Sequence, residues 1–287
     1  MFATLGRSWE FAKISYGMIW HNKRLMVFPL LSTVAAILVL ASFVLPLWQS
    51  GTWAQWTSPA DSGAATGTAN VTMWVVLFLF YFCNYFVIVF FNAALTACAF
   101  QAMDGTPASV SYGLSQALRR LPQIAGWALI SAVVGMLLRA LERNRKGAAI
   151  IASVLGMMWT VVSYFIIPVM VIEGVGPIEA LKRSTRTLKA TWGEALVGNF
   201  SLGLFGFLVM LPLIILTVLA VAAAVAGGGV GAIALACLCG LALALGVAAT
   251  SAADVAFKVV LYAYASGRSL PREANPGALA DAFAREG

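Results

Sequence analysis

The sequence predicts an all-α integral membrane protein, with six transmembrane helices and three amphipathic helices at the cytoplasmic membrane surface. The first observation is composition: 61% of the 287 residues are hydrophobic and only 10% are charged, whereas about 25% of the residues of a typical soluble domain are charged. The second is a mean hydropathy of +0.91. This value implies more apolar surface than the interior of one soluble domain of this length can bury. The third is that the apolar residues form long runs, separated by short segments that carry most of the charge.

Six apolar runs are long enough to cross the hydrocarbon core, for which an α-helix needs about 20 residues. The second run is longer than the core is thick, so we expect this helix to tilt or protrude. The third and fourth runs could form a shallow hairpin over residues 121–172 instead of two full spans. The predicted spans are 25–48, 71–102, 121–138, 147–172, 196–226 and 230–257, in a single membrane domain (1–265) followed by a cytoplasmic tail (266–287).

The distribution of Lys and Arg predicts the orientation of the chain. With the N-terminus in the cytoplasm, 14 of the 18 basic residues fall on the cytoplasmic side, in agreement with the positive-inside rule. The loop 49–70 contains no basic residue, as expected of an outer loop. The majority of the basic residues therefore favours a multi-pass topology with both termini in the cytoplasm. Four residues between the third and fourth spans conflict with it: Arg139, Arg143, Arg145 and Lys146.

Three polar segments show the periodicity of amphipathic helices. The clearest runs from Pro177 to about residue 192: its apolar residues recur every three or four positions, and its charged residues fill the opposite side. Residues 2–19 and, more weakly, 110–121 show similar patterns. A helix with one apolar and one basic face is suited to the membrane surface. The apolar set of the clearest helix is Ile178, Leu181, Thr185, Leu188 and Trp192, and its cations are Lys182, Arg183, Arg186 and Lys189.

Each amphipathic segment is followed by a span, an outer loop and a second span. This order predicts three pseudo-repeated units, 1–102, 103–172 and 173–265. After the second, fourth and sixth spans the chain has a glycine and then, a few residues later, a proline. Glycine adopts the left-handed conformation that closes a helix, and proline is favoured at the first position of the next one. The junctions therefore agree with the repeat.

The junction after the fourth span is Glu173-Gly174-Val175-Gly176-Pro177. Gly174 or Gly176 should end the span, and Pro177 should begin the surface helix. The motif lacks the Gly-Lys-Ser/Thr of a phosphate-binding loop. Glu173 would lie at a helix C-terminus, where the helix dipole disfavours an acid. We therefore expect a nearby cation, supplied by the basic helix that follows.

Four polar residues in or near the spans are candidates for an intramembrane polar site. Asp254 and Lys258 are four residues apart on the sixth span and share one helix face, so they form either an interfacial ion pair or part of a lined pathway. Asn84 lies near the middle of the second span and Asn92 two turns further on. Each Asn forms either an interhelical hydrogen bond or a substrate contact.

The cations Lys182, Arg183, Arg186 and Lys189 predict contact with anionic lipid headgroups. The alternative is a specific site for a protein or one lipid. The basic residues lie at the ends of apolar runs rather than in a polar domain, so nucleic acid is not an expected partner. We expect neither a cofactor nor a metal site. The single histidine, His21, has no acidic or cysteine cluster nearby, and no paired-carboxylate or nucleophile motif is found. The sequence predicts no catalytic residue and no enzyme activity.

Several short motifs, spread over most of the chain, resemble those of an uncharacterised bacterial family of six-span inner-membrane proteins. The spans are also loosely similar to the membrane domain attached to some bacterial glycerophosphodiester phosphodiesterases. The first resemblance implies a bacterial inner-membrane protein and supplies no catalytic residues. Its motifs are Arg7-Ser8-Trp9, Phe28-Pro29-Leu30-Leu31-Ser32, Phe91-Asn92-Ala93-Ala94-Leu95, residues 171–184, Thr191-Trp192-Gly193-Glu194, Asn199 and Tyr262-x-Tyr264-Ala265-x-x-Gly267.

The function expected from these observations is that of a non-enzymatic inner-membrane component. It would serve as an accessory, scaffold or assembly protein that contacts anionic lipids, other integral membrane proteins or further copies of itself. Small residues that permit close helix contact are abundant in 220–231 and 242–253. The alternative is a transporter or permease for a small or lipid-like molecule, whose path would be lined by segments interrupted at Pro168 and Pro212.

Overall fold

The computed structural model describes residues 15–51, 67–144 and 148–268, and no β-strand occurs among them. Six of its segments are helical, long and apolar enough to cross a membrane, so the chain is a multi-pass integral membrane protein. Residues 15–21 are helical as well. In chain order the further helices are α1 (Val27–Gln49, after a 3-10 turn at Lys23–Met26), α2 (Gly67–Met103), α3 (Val110–Arg119), α4 (Leu121–Asn144), α5 (Ala148–Val162), α6 (Ile166–Glu173), α7 (Pro177–Ala190), α8 (Trp192–Val225) and α9 (Gly229–Ala265).

Each of the six predicted spans corresponds to such a segment, with α5 and α6 together forming the fourth. Residues 121–172, for which a shallow hairpin was the alternative, form two long apolar segments. These are Leu121–Glu142 and Ala148–Glu173, of 22 and 26 residues. At about 1.5 Å per residue each is at least as long as a hydrocarbon core of about 30 Å. The lengths therefore fit two full spans.

Some predicted boundaries were wrong. Trp192 does not end the surface helix: α7 stops at Ala190, and Trp192 begins α8 after a non-helical Thr191. The amphipathic segment predicted over 110–121 begins at Val110, after Ser109 with the extended backbone of an N-cap residue, but ends at Arg119. The sixth span continues past residue 257 to Ala265. Of the predicted amphipathic segment 2–19, only residues 15–19 belong to the described part of the chain.

The glycines at the three predicted junctions close their helices as expected. Gly105, Gly174 and Gly267 have φ angles of 78°, 71° and 67°, a left-handed conformation that residues with a Cβ rarely adopt. The Gly174 N–H donates to the carbonyl of Met170 over 3.0 Å. Pro177 then occupies the first turn of α7, as predicted. The threefold repeat of whole units stays a prediction.

The fourth span is interrupted between α5 and α6. Residues 163–165 form a turn, and Pro168 lies in the first turn of α6, where its missing N–H is not needed. The second proline expected to interrupt a span behaves differently, because α8 is continuous through Pro212. A break within a span leaves backbone groups that need partners, and Ser184 of α7 supplies them, as described below.

The tightest packing lies at one end of the bundle. There the second half of α9, from Ala252 to Ala263, packs against the end of α2 and against α6. Contacts across this end include the Ala108 N–H donating to Asn22 Oδ1 over 3.3 Å and the Arg268 guanidinium 5.8 Å from the Phe100 ring. We call it the basic end, after its exposed cations Lys23, Arg24, Arg119, Lys182, Arg186, Lys189 and Arg268.

Candidate functional site

Helix α7 packs against the bundle through small side chains. Ala180, Ser184 and Leu188, spaced four residues apart, are buried, so they share one face of the helix. Of the predicted apolar face, Leu188 faces inward and Ile178 is 65% exposed, so contact of this face with the membrane surface stays a prediction. Small residues such as Ala180 and Ser184 are favoured on the inward face because they allow a closer approach between helices.

Three of the four predicted lipid-contacting cations are exposed on α7: Lys182, Arg186 and Lys189. Their spacing of four and three residues places them along one side of the helix. Arg183, the fourth, is engaged differently. Its Nε donates to Glu179 Oε1 over 2.9 Å, and its Nη1 donates to Glu173 Oε2. Of the four predicted cations, three therefore point outward, and Arg183 forms ion pairs within the protein.

Ser184 connects α7 to the break in the fourth span. Its Oγ accepts the Phe165 N–H at 3.0 Å and donates to the Val162 carbonyl at 2.8 Å. These two backbone groups belong to the turn between α5 and α6. Ser184 is buried, so no other donor or acceptor is within easy reach. The serine thus fixes the position of α7 on the bundle. At the same time it provides hydrogen-bond partners for the two backbone groups at the break in the span.

Glu173 at the end of α6 has the cation that the sequence predicted. Besides the bond from Arg183, it accepts a hydrogen bond from the Tyr262 hydroxyl of α9. The guanidinium of Arg120 lies beside Gly174, within 3 Å of where a Cβ would stand. The hydrogen bond from Arg183 lowers the pKa of Glu179. Bonds to Glu179 and then Glu173 raise the pKa of Arg183. The network links α6, α7 and α9 at the basic end.

Asp254 and Lys258 form the predicted ion pair, with Lys258 Nζ 2.6 Å from Asp254 Oδ2. The Lys258 ammonium also lies 5.1 Å from the centre of the Tyr164 ring. Gly206 of α8 lies beside Thr250 of α9. Asp254 follows Thr250 by one helical turn toward the basic end. The pair therefore lies in the half of α9 that is nearer the basic end.

A cleft of about 380 Å³ opens between α8 and α9 next to this pair. Asp254 lines the cleft, and Lys258 does not. The Tyr16 hydroxyl lies 3.7 Å from where a Cβ on Gly206 would stand. Burial, together with the charge of Asp254, raises the pKa of Tyr16. The remaining lining residues are Gly203, Gly206, Phe207, Met210, Thr250 and Ser251.

Asn84 and Asn92 are both half-buried on α2. The Asn84 amide donates to the Phe80 carbonyl of its own helix at 2.9 Å, rather than to another helix. It lines a groove between α1 and α2 that also contains Ser32 and Thr33. This groove shares no residue with the cleft at Asp254. The structure thus does not bring the candidate polar residues together, and the transport alternative stays a prediction.

Sequence reasoning missed Ser184, Tyr164 and Tyr262. Tyr262 is separated from Glu173 by 89 positions, so no local spacing indicates their contact. Ser184 had a weak signal, since its spacing of four residues from Ala180 places two small residues on one helix face. Within the described ranges 15–51, 67–144 and 148–268, no group of three or more His, Cys, Asp or Glu residues could hold a metal ion.

Comparison with other proteins gives a family and no activity. No curated protein matches the chain in sequence. A family model matches residues 71–270, from the second span through the end of α9, and its description is a family of unknown function, DUF6159. The match covers well over half of the chain and includes the α7 network and the cleft at Asp254. The chain therefore belongs to the DUF6159 family.

Proposed function

We propose that this protein is a non-enzymatic membrane component that binds anionic lipid headgroups at its basic end and so acts as an accessory or scaffold protein. The observation that carries the proposal is the arrangement of α7. Lys182, Arg186 and Lys189 point outward from a helix whose opposite face is buried against the bundle. A helix held in this way presents its charges in a fixed geometry.

The charges of α7 are not neutralised within the described network. Glu179, the one acid of α7, pairs with Arg183, and Glu173 pairs with Arg183 and Tyr262. The three remaining α7 cations are thus available to phosphate groups. Each Lys or Arg near an anionic membrane surface contributes about 1 kcal/mol of attraction. Further exposed cations at the same end, such as Arg119 and Arg268, add to the positive surface.

This reading also supports the orientation predicted from the sequence. Anionic lipid is concentrated in the cytoplasmic leaflet, and the positive-inside rule places Lys and Arg there. The basic end would then face the cytoplasm, with α3 and α7 at the membrane surface. The bacterial inner membrane remains our proposed location, and the glycerophosphodiesterase resemblance concerns the spans alone.

Lipid retention tests the proposal. The full-length protein is purified in mild detergent from membranes with known lipid content, and the bound lipids are counted by native mass spectrometry. Replacing Lys182, Arg186 and Lys189 together by Gln should lower the number of retained anionic lipids. The loss should mimic the effect of high salt, which screens exposed charges over about 10 Å at 0.1 M.

The matched control is Arg139→Gln, which removes an exposed cation at the opposite end of α4. It should leave anionic-lipid retention near that of the unchanged protein. Equal retention by the triple variant and the unchanged protein would contradict the proposal. A loss of about a third of that size in the Arg139→Gln variant, which removes one charge instead of three, would contradict it as well, because the effect would then follow net charge and not the α7 face.

A further inference from the structure

The lining of the cleft between α8 and α9 changes from apolar to polar along the direction of the helix axes. Phe207 and Met210 line it with apolar side chains, and Met210 lies further along α8 from the basic end. Ser251 and Asp254 of α9 line it as well, and Asp254 lies toward the basic end. The cleft therefore changes from apolar to polar in the same sense as a phospholipid changes from acyl chain to headgroup.

Glycine keeps the cleft open. A Cβ at Gly203 would meet no atom within 4 Å, so the space in front of this residue is empty. At Gly206 the neighbouring Thr250 Cγ2 is only 3.1 Å from where a Cβ would stand, so the two helices approach closely there. The result is a closed seam at Gly206 and an open space beside Gly203.

Among the lining residues that the structure describes, Asp254 carries the one charge. Asp254 lines the cleft and keeps 38% of its side chain exposed. Its partner Lys258 is 26% exposed, and its ammonium is directed to the Tyr164 ring as well as to Asp254. Of this pair only Asp254 lines the cleft, so a ligand in the cleft contacts the acid, and Lys258 lies outside the described lining. An isolated phosphate or another anion would find no cation among the described lining residues.

A headgroup that carries both an ammonium and a phosphate fits this order of charges. Its ammonium can donate hydrogen bonds to Asp254 and Ser251, and its phosphate can approach Lys258 once the intrahelical pair loosens. Hydrogen bonds between charged groups are about twice as strong as neutral ones. The attached acyl chain would pack along Phe207 and Met210, away from water.

We propose that this cleft binds the headgroup of a zwitterionic phospholipid with a primary amine. The site differs from the basic face of α7 in place and in chemistry, and it does not rest on the function proposed above. The α7 face attracts negative charge without distinguishing headgroups, whereas the cleft selects the ammonium group.

The test compares two lipids that differ in the amine alone. The full-length protein is reconstituted in nanodiscs containing phosphatidylethanolamine or phosphatidylcholine at equal content, and native mass spectrometry counts the lipids that remain bound. Phosphatidylcholine cannot donate hydrogen bonds from its trimethylated nitrogen. We expect a preference for phosphatidylethanolamine that falls about tenfold in Asp254→Asn, because a charged hydrogen bond contributes about 1.5 kcal/mol or more.

Two further variants distinguish loss of the binding site from misfolding of the Asp254→Asn protein. Gly203→Val adds a side chain to the open space, where a Cβ meets no atom within 4 Å, and should remove the preference as well. Glu142→Gln, at the exposed opposite end of α4, should keep it. The triple replacement of the α7 cations should also keep it, which separates this proposal from the previous one. An unchanged preference in a folded Asp254→Asn or Gly203→Val variant would overturn the proposal.

Soluble glycerophosphoethanolamine distinguishes a lipid from a free small molecule. It carries the same headgroup without acyl chains. We expect it to compete weakly, because it lacks the contacts with Phe207 and Met210. Displacement of the bound lipid at equal concentration would show that the cleft recognises a soluble molecule, and the assignment to a lipid would be wrong.

Discussion

The two halves of α9 are similar in composition and different in packing. Both are apolar and rich in alanine. In the first half, Val230 is 84% exposed and Leu241 is 61% exposed. In the second half, from Ala252 to Ala263, most residues are buried against other helices. Exposed apolar side chains cost little in lipid, because acyl chains are as apolar as leucine. Hydropathy alone therefore does not show which half is fixed within the protein.

The difference lies in close approach and in polar links between helices. At the basic end, Ser184 joins α7 to the break in the fourth span, Glu173 joins α6 to α7 and α9, and Cys98 donates to the Ser109 carbonyl at 2.9 Å. The first half of α9 packs chiefly against α8. We therefore expect substitutions at the basic end to destabilise the protein much more than those in the outer half of α9.

The largest effect is expected for Gly113→Ala on α3. A Cβ at this position would lie 2.6 Å from the Ala94 carbonyl oxygen and 2.8 Å from the Phe28 ring. Because one of these neighbours is backbone, relief requires movement of a whole helix. We expect a loss of about 3 kcal/mol, the upper part of the usual range for overpacking. Unfolding in mixed detergent micelles measures it.

The control for Gly113→Ala is Gly231→Ala in the outer half of α9, where a Cβ would meet no atom within 4 Å. This change should be neutral or slightly stabilising, because alanine favours a helix by about 0.5–1 kcal/mol over glycine. Similar losses in both variants would show that the contrast between the basic end and the outer half of α9 is incorrect.

Ser184→Ala should have the next largest effect. It removes the partner of the Phe165 N–H and of the Val162 carbonyl, both at the break in the fourth span. An unsatisfied buried donor costs about 1–3 kcal/mol, so we expect a loss of about 2 kcal/mol in the same unfolding experiment. Ser42→Ala is the matched control, since Ser42 is exposed and bonds only to Val39 of its own helix. If Ser184→Ala leaves the stability unchanged, the prediction is wrong, and water takes the place of the serine hydroxyl.

The sequence predicts the elements of the fold better than their contacts. Spans, junction glycines and the cation near Glu173 depend on local composition and on neighbours in the chain, so they could be inferred. The inward face of α7 could not, because the hydrophobic periodicity gave weight to Ile178 and little to Ala180 and Ser184. Helix packing in a membrane selects small size rather than hydrophobicity.

The candidate sites follow the same division. The Asp254–Lys258 pair was predictable from its spacing of four residues on one helix. The cleft beside it depends on α8 and on the absence of side chains at Gly203 and Gly206, which only the packing of two helices reveals. The bond between Tyr262 and Glu173 likewise joins positions that are distant in sequence.

Tyr262→Phe tests that long-range link. The hydroxyl donates to Glu173, and Tyr262 is otherwise fully buried, so phenylalanine keeps the packing and removes a single bond. Glu173 retains Arg183 as a partner, so we expect a loss of about 1–2 kcal/mol, below that of Ser184→Ala. Tyr112→Phe, at an exposed position of α3, is the control and should leave stability unchanged. An equal change in both variants would argue against the link.

The smallest effect concerns the exposed pair of Glu179 and Arg183, and it is lost in acid. The hydrogen bond from Arg183 lowers the pKa of Glu179 below its ordinary value of 4.5. The unfolded chain therefore binds a proton at Glu179 more readily than the folded protein does. The stabilisation is fully present above about pH 4.5 and is lost as the pH falls through the folded-state pKa. The stabilities of the unchanged protein and Glu179→Gln should therefore differ above pH 4.5 and converge below it. Because both side chains are exposed, 1 M salt should reduce the difference. A difference that persists at pH 3 would show that Glu179 acts through packing and not through its charge.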